Sequence, residues 1–373
     1  MKTLLKNARV WRRDASFATD LSVLIEDGKI LDVSSGEMDS LADEVRDLGG
    51  AYLCPGLVDV HTHGRAGFDF NNASASEMAL MRADYARHGV TSVMATLASA
   101  TVEEWKESIR AIKESGYAGI HLEGRYLNPG KRGAHAAHLL SLPDPEELSS
   151  VLEGNDLPVH VSFAVELDPD GAFLSRVKEL GATAGLAHTA ANAEQAKQAL
   201  ARGLTSFTHL FNTMPPLHHR EGGPVAVALT EGGYAELIVD GVHVCADMVK
   251  LAYKCLGNDR LVLITDSMAG TGCPDGEYSI AGLPVTVKDG KALTHEGAIA
   301  GSTLELFDGV KNLVSFAGAS FGEAIRCASY NPSRMVGIDH LVGGIEAGLV
   351  ANLLVVNEGL SLCEVILDGK SVK

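Results

Sequence analysis

Along this chain the hydrophobic pattern switches repeatedly between a strand period and a helix period. LVDV (57–60), TSVMATLAS (91–99), GIHLEG (119–124), VHVSFAVE (159–166), ATAGLAH (182–188), LTSFTHLF (204–211), AELIVDGVHV (235–244) and RLVLITDS (260–267) are short apolar runs that predict buried strands. Amphipathic segments with helix-start signals lie between them. Residues 74–89 open with a Ser74-to-Glu77 capping box and stop at Gly89, and 101–116 repeat the device with Thr101, Glu104 and Gly116. PEELSSVLEG (145–154), GAFLSRVKELG (171–181), NAEQAKQALARG (192–203, capped by Asn192), a short helix after Pro224, and ADMVKLAYKCLG (246–257) continue the series.

The ends of the chain read differently. LLKNARVW (4–11) is expected as a strand, and SVLIEDGKILDV (22–33) as a hairpin turning at Asp27-Gly28; residues 34–50 are polar and turn-rich. Two hairpins are expected over 276–300. Helix is expected over 302–338, broken at Asn331-Pro332, and strands over ANLLVVN (351–357) and SLCEVILDGK (361–370). About eight strand–helix repeats counted from Leu57 predict an α/β protein with a closed (β/α)8, TIM-like barrel over residues 53–342. A doubly wound sheet would usually carry a Gly-rich nucleotide turn after an early strand, and the chain has none. The terminal strand pairs are too small to stand alone, so residues 1–52 and 343–373 are expected to combine into one small β-sandwich domain.

Composition narrows the function. The 373 residues are 46% hydrophobic and carry a net charge of −17, with no Lys/Arg cluster longer than Lys131-Arg132, which argues against nucleic acid as a partner. An anionic ligand would need a local basic pocket. Six scattered cysteines without C-x-x-C suggest a reduced, cytoplasmic protein. Neither a signal peptide nor a membrane-spanning run is expected.

The chain is organised around LCPGLVDVHTHGRAGFD (53–69). Side chains alternate along a strand, so His61 and His63 share a face and form half of a metal site. Glu123, His188, His209 and Asp266 also stand where predicted strands stop, and in a barrel those ends open on the face that builds active sites. One histidine at a strand end is commonly structural; four histidines and two acids at separate ends point to a shared metal site. Nitrogen and carboxylate ligands without thiolates suit Zn²⁺ first, then Fe²⁺ or Mn²⁺, in a hydrolytic centre. Such an ion lowers the pKa of a bound water to ~7 and polarises a carbonyl. Asp266 is placed to take a proton and return it to a leaving amine. The loop FNTMPPLHHRE carries Asn212, Thr213, His218, His219 and Arg220 toward the same face, and DGVHV carries His243; arginine suits phosphate oxygens. KRGAHAAH adds Lys131, Arg132, His135 and His138, of which His135 is the expected substrate contact.

PGLVDVHTHGRAGFD, HLEG followed by KRGAH, GLAHTAAN, THLFNTMPPLHHRE, IVDGVHV, LITDSMAGTG and AGSTL together resemble the N-acetylglucosamine-6-phosphate deacetylase family of the amidohydrolase superfamily, over about residues 50–355. The resemblance implies a metal-dependent amide hydrolase that converts N-acetylglucosamine 6-phosphate to glucosamine 6-phosphate and acetate. It implies a main ion on Glu123, His188 and His209, and a second on His61 and His63 in members that hold two. It makes Asp266 the general base and then acid, and gives His135 a hydrogen bond to the acetamide or the sugar. Asn212, Thr213, His218, Arg220 and His243 would hold substrate. Members are commonly homodimers, in which Arg220 serves the neighbouring subunit's site. The galactosamine epimer, or another amidohydrolase reaction on a cyclic amide or an amine, are the alternatives. Three departures stand out: Arg125 where the family usually has Pro, Gly222-Gly223-Pro224 where Pro-Gly is usual, and Asn352 in place of Asp.

Overall fold

The eight expected strands form one parallel sheet, in chain order, curled into a barrel. They are β1 (Leu57–Thr62), β2 (Val90–Leu97), β3 (Gly119–Glu123), β4 (Val159–Phe163), β5 (Thr183–Leu186), β6 (Ser206–Phe207), β7 (Tyr234–Ile238) and β8 (Leu261–Ile264). The computed structural model describes residues 1–36 and 38–373; Glu37, in the segment read as turn-rich, lies outside the described residues. The ring closes between β8 and β1 just past the strand ends. Asp266 N–H donates to the His61 carbonyl (2.8 Å), His63 N–H donates to the Ser267 carbonyl (2.7 Å), and the Thr62 and Ser267 hydroxyls meet at 2.7 Å.

The outer helices are α1 (Ala75–Arg87), α2 (Val102–Glu114), α3 (Pro145–Val151), α4 (Ala172–Glu179), α5 (Ala193–Arg202), α6 (Gly223–Thr230), α7 (Ala246–Arg260) and α8 (Leu306–Ala317). Capping boxes at Ser74/Glu77, Thr101/Glu104 and Asn192/Gln195 start α1, α2 and α5. Each cap satisfies backbone N–H groups that the helix itself leaves unpaired, worth ~1 kcal/mol. A four-stranded antiparallel sheet (Gly276–Ile280, Leu283–Lys288, Lys291–Thr294, Ile299–Ser302) sits between β8 and α8, where two hairpins were expected.

Period-2 alternation decides what faces the barrel interior. On β1, Val58 and Val60 pack with Val262, Ile264, Met335 and Val336. Each such valine contributes roughly 1.5–3 kcal/mol by burial. Asp59 and His61 alternate with them: Asp59 accepts from the Thr265 hydroxyl just past the neighbouring β8, and His61 meets Glu236 on β7.

Several expectations are corrected. LLKNARVW is two strands, Lys2–Lys6 and Arg9–Trp11, in different sheets, because Asn7 turns the chain at a left-handed φ of 56°. The polar segment before residue 50 contributes a strand, Glu44–Asp47, parallel to Lys2–Lys6. Asn331-Pro332 does not break a helix. Pro332 lies in the first turn of α10 (Tyr330–Met335), where its missing N–H costs nothing. The breaks fall at Gly318, which is left-handed, and at Ser329, the junction with α9 (Phe321–Ala328). The strand expected over 204–211 shortens to Ser206–Phe207 because the backbone turns out at His209.

Strands from both chain ends share a six-stranded sheet: Leu353–Val356 pairs with Tyr52–Pro55, which pairs with Arg9–Trp11. This sheet therefore runs past residue 52 to Pro55. A second sheet, of four strands, is built from residues 2–47. Among the described residues no helix is long and apolar enough to cross a membrane.

Candidate metal centre

Six side chains expected at strand ends meet above the barrel. The Glu123 carboxylate, at the end of β3, is the hub. Its Oε1 lies 2.9 Å from His209 Nε2 and 3.3 Å from His188 Nε2. Its Oε2 lies 3.0 Å from His63 Nε2 and 3.4 Å from His61 Nε2. Asp266 Oδ1 completes that side, 3.4 Å from His63 and 3.7 Å from His61.

Backbone strain aims these groups. His188, His209 and Asp266 adopt left-handed φ values of 41°, 33° and 48°. Each costs a non-glycine residue roughly 1–2 kcal/mol, so surrounding structure must hold them there. The glycine after His63 is also required. A Cβ on Gly64 would stand 2.1 Å from the Phe68 carbonyl, so only glycine lets the following hairpin fold back against His63.

The field of the site favours positive charge. Burial alone would lower the pKa of His61, yet the Glu123 and Asp266 carboxylates carry it well above its ordinary value. His63 is raised in the same way, against burial, by Glu123. Burial would raise Glu123, but the facing imidazoles of His61, His188 and His209 hold it well below the usual carboxylate range. His61 Nε2 is buried without a hydrogen-bond partner and faces the two carboxylates. An unpartnered imidazole nitrogen beside clustered carboxylates is a donor set that fits a divalent ion.

The supporting groups are largely ones the sequence did not single out. Fully buried Glu236, on β7, accepts from His61 Nδ1 (3.0 Å) and from the His209 backbone N–H (3.3 Å) through one oxygen. His188 Nδ1 meets the Lys131 carbonyl at 2.8 Å. Beneath the cluster His121 bonds Ser162 (2.7 Å) and His160 bonds Thr183 (2.8 Å). Burial lowers both imidazoles, His160 to about 4, so they act as neutral hydrogen-bonding groups. A period-2 signal was available for Asp59 and His121, each two residues before a predicted ligand on the same face; Glu236 and His160 offered no comparable signal.

His135 is buried beside the cluster, its Nε2 3.8 Å from Glu123 Oε2 and its ring 4.7 Å from that of His188. Burial and the nearby His188 hold it well below its ordinary pKa. His243 bonds Asp240 at 2.6 Å; burial would lower its pKa, but Asp240 raises it above its ordinary value. Asn212 Nδ2 donates to the His209 carbonyl (3.2 Å), and Thr213 is left-handed at φ 53° with its carbonyl bonded by Thr189 N–H. His218 and Arg220 are not brought to the cluster. They are exposed and line a surface cavity of about 580 Å³ with Pro215, Pro216, Glu194 and Gly222, and Arg220 Nη1 lies 2.6 Å from His219 Nε2. Arg125 adopts φ 52°, which proline cannot.

The amidohydrolase family profile matches residues 52–372. The N-acetylglucosamine-6-phosphate deacetylase of Vibrio furnissii is 32% identical over 378 residues, covering 98% of this chain and 92% of that protein. The N-acetylgalactosamine-6-phosphate deacetylase of Escherichia coli O157:H7 is 30% identical, covering 99% of each. The solved structure of a mutant N-acetyl-D-glucosamine-6-phosphate deacetylase of Mycobacterium smegmatis, in complex with N-acetyl-D-glucosamine-6-phosphate, superposes with a TM-score of 0.91 at 33% identity, covering 100% of this chain and 99% of that one. A family match over most of the sequence, relatives aligned end to end and a shared barrel lead to one conclusion: the chain belongs to the amidohydrolase family.

Proposed function

We propose that the chain hydrolyses the acetamide of N-acetylglucosamine 6-phosphate, releasing acetate and glucosamine 6-phosphate. The observation that carries this reading is the division of Glu123, one oxygen toward His188 and His209 and the other toward His61 and His63, with Asp266 at the edge. It is supported by full-length relatives named for that activity.

His61, His63, Glu123, His188, His209 and Asp266 would hold one or two divalent ions, Zn²⁺ by the donor set. When bound, the ion supplies an acidified water and polarises the acetyl carbonyl. Asp266 takes the proton of the attacking water at its carboxylate and hands it to the departing amine nitrogen, a role worth typically 10²–10⁴-fold. His135 donates a hydrogen bond to the carbonyl oxygen as negative charge develops there. His243, whose pKa Asp240 raises, would face the sugar phosphate, and Asn212 and Thr213 would line its approach. Arg220 and His218, outside the cluster of their own subunit, would serve the phosphate of a partner in a homodimer. All six cysteines are free, which supports a cytoplasmic location.

The test is acetate release from N-acetylglucosamine 6-phosphate, its unphosphorylated form and the galactosamine epimer, with Zn²⁺, Fe²⁺ or Mn²⁺ supplied. Turnover confined to the phosphorylated gluco sugar, with KM raised at least tenfold in Arg220→Ala, is expected. Turnover of neither phosphorylated sugar would refute the assignment.

A further inference from the structure

Five imidazoles, His61, His63, His135, His188 and His209, surround the Glu123 carboxylate, and geometry alone would let His135 join His188 in holding an ion. The hydrogen bonds behind each ring separate them. A histidine that ligates through Nε2 carries its proton on Nδ1, so an acceptor behind Nδ1 favours ligation and a donor there opposes it. His61 has the Glu236 carboxylate and His188 has the Lys131 carbonyl, both acceptors, and Nδ1 of His63 and of His209 is buried with no hydrogen-bond partner, so no donor opposes a proton on any of the four. His135 has the reverse. The Ser99 backbone N–H, which can only donate, points at His135 Nδ1 from 3.4 Å, and the Ser99 hydroxyl lies 2.9 Å from the same nitrogen. That hydroxyl in turn accepts the Arg125 backbone N–H at 3.0 Å, which leaves its own proton for Nδ1. A proton on Nδ1 would collide with the Ser99 N–H.

The arrangement is built into the chain. A Cβ on Gly124 would lie 2.5–2.8 Å from the Ser99 N, Cα and Oγ atoms, so glycine is what lets Ser99 sit against the end of β3. Arg125 presents its N–H to Ser99 by turning to φ 52°. Its guanidinium clamps that turn, with a forked pair to Glu147 at 2.9 and 3.0 Å and a bond to the Ala100 carbonyl at 2.8 Å.

We propose that Ser99, held by the Arg125 N–H, is a positioning residue that locks His135 as an Nε2–H donor and so keeps it out of the metal's ligand set. The value of that donor to catalysis rests on the reading of His135 as the partner of the substrate carbonyl; the lock itself does not.

The test uses ¹⁵N-histidine-labelled full-length protein, prepared free of metal and then titrated with Zn²⁺, with the His135 signals assigned by their loss in His135→Gln. Long-range ¹H–¹⁵N spectra should show His135 protonated on Nε2 alone, before and after Zn²⁺. Ser99→Ala keeps the backbone N–H at 3.4 Å but loses the closer hydroxyl at 2.9 Å, so a minor Nδ1–H population should appear and kcat should fall by about 10-fold, the size of one hydrogen bond, with KM and bound Zn²⁺ unchanged. Ser99→Thr, which keeps the hydroxyl, should restore both. An Nδ1–H tautomer in the wild type, or Zn²⁺ binding through His135 Nε2, overturns the proposal. So does a Ser99→Ala enzyme that loses activity with its His135 tautomer intact, since that is a merely structural effect. An Nε2–H His135 in a protein that hydrolyses no acetamido sugar phosphate would support the lock while refuting the proposed reaction.

Discussion

Replacing Glu236 should weaken metal binding although Glu236 is not itself among the proposed ligands. Its Oε2 takes the Nδ1 proton of His61 at 3.0 Å and the backbone N–H of His209 at 3.3 Å, and the residue is fully buried. One oxygen thus orients ligands on two strands. Loss of such a partner typically costs 10–100-fold in metal affinity, ~1.4–2.7 kcal/mol. Glu236→Gln keeps one acceptor oxygen and loses the charge, so it belongs at the low end. Glu236→Ala strands both donors in a dry interior. That adds a destabilisation of ~1–3 kcal/mol for each unsatisfied group. Competition for Zn²⁺ against a chelator of known affinity measures the first effect and urea unfolding of the metal-free protein the second. A Glu236→Ala protein that binds Zn²⁺ within twofold of wild type would refute the reasoning, because it would show that His61 needs no partner behind it.

Three further outcomes are expected. Asp266→Asn should keep most of its Zn²⁺ and lose turnover by 10²-fold or more, measured as acetate release; near-normal activity would remove it as the proton carrier. Arg125→Pro should lower Tm by several degrees, since proline cannot reach φ 52°, has no N–H for Ser99 and loses the ion pair with Glu147; thermal unfolding checks this. The His243–Asp240 pair should stabilise the fold in a defined pH window. The folded-state pKa of His243 is raised above its ordinary 6.5, so its contribution is complete below that value and is lost as pH rises through the raised one. Asp240 is lowered from 3.8, so its share fades as pH falls through the depressed value. Tm of His243→Asn against wild type should converge at alkaline pH.

Much of the barrel could be read from the chain because its signals are local. A capping box such as Thr101/Glu104 and an apolar run such as LVLI act within a few residues of themselves. The errors came where a distant contact overrode a local preference. Asn7 turns to send Arg9–Trp11 into the chain-end sheet beside Tyr52–Pro55, and Pro332 sits harmlessly in the first turn of a helix that starts after Ser329. Neither outcome is visible from the residues on either side.

The site divides in the same way. Its chemical membership was present in the sequence: His61, His63, Glu123, His188, His209 and Asp266 each follow an apolar run, and strand ends of a parallel barrel converge whatever their separation in the chain. The grouping around Glu123, the place of Glu236 behind two strands, and the Ser99 hydroxyl that faces His135 were decided only by the tertiary structure. Hydrogen bonds reach about 3 Å and are indifferent to sequence distance. Glu236 lies 175 residues from the His61 it orients, and Ser99 lies 36 from His135. Residue type and periodicity determined which groups could do chemistry; only closure of the barrel determined which ring nitrogens face Glu123 and which groups stand behind them.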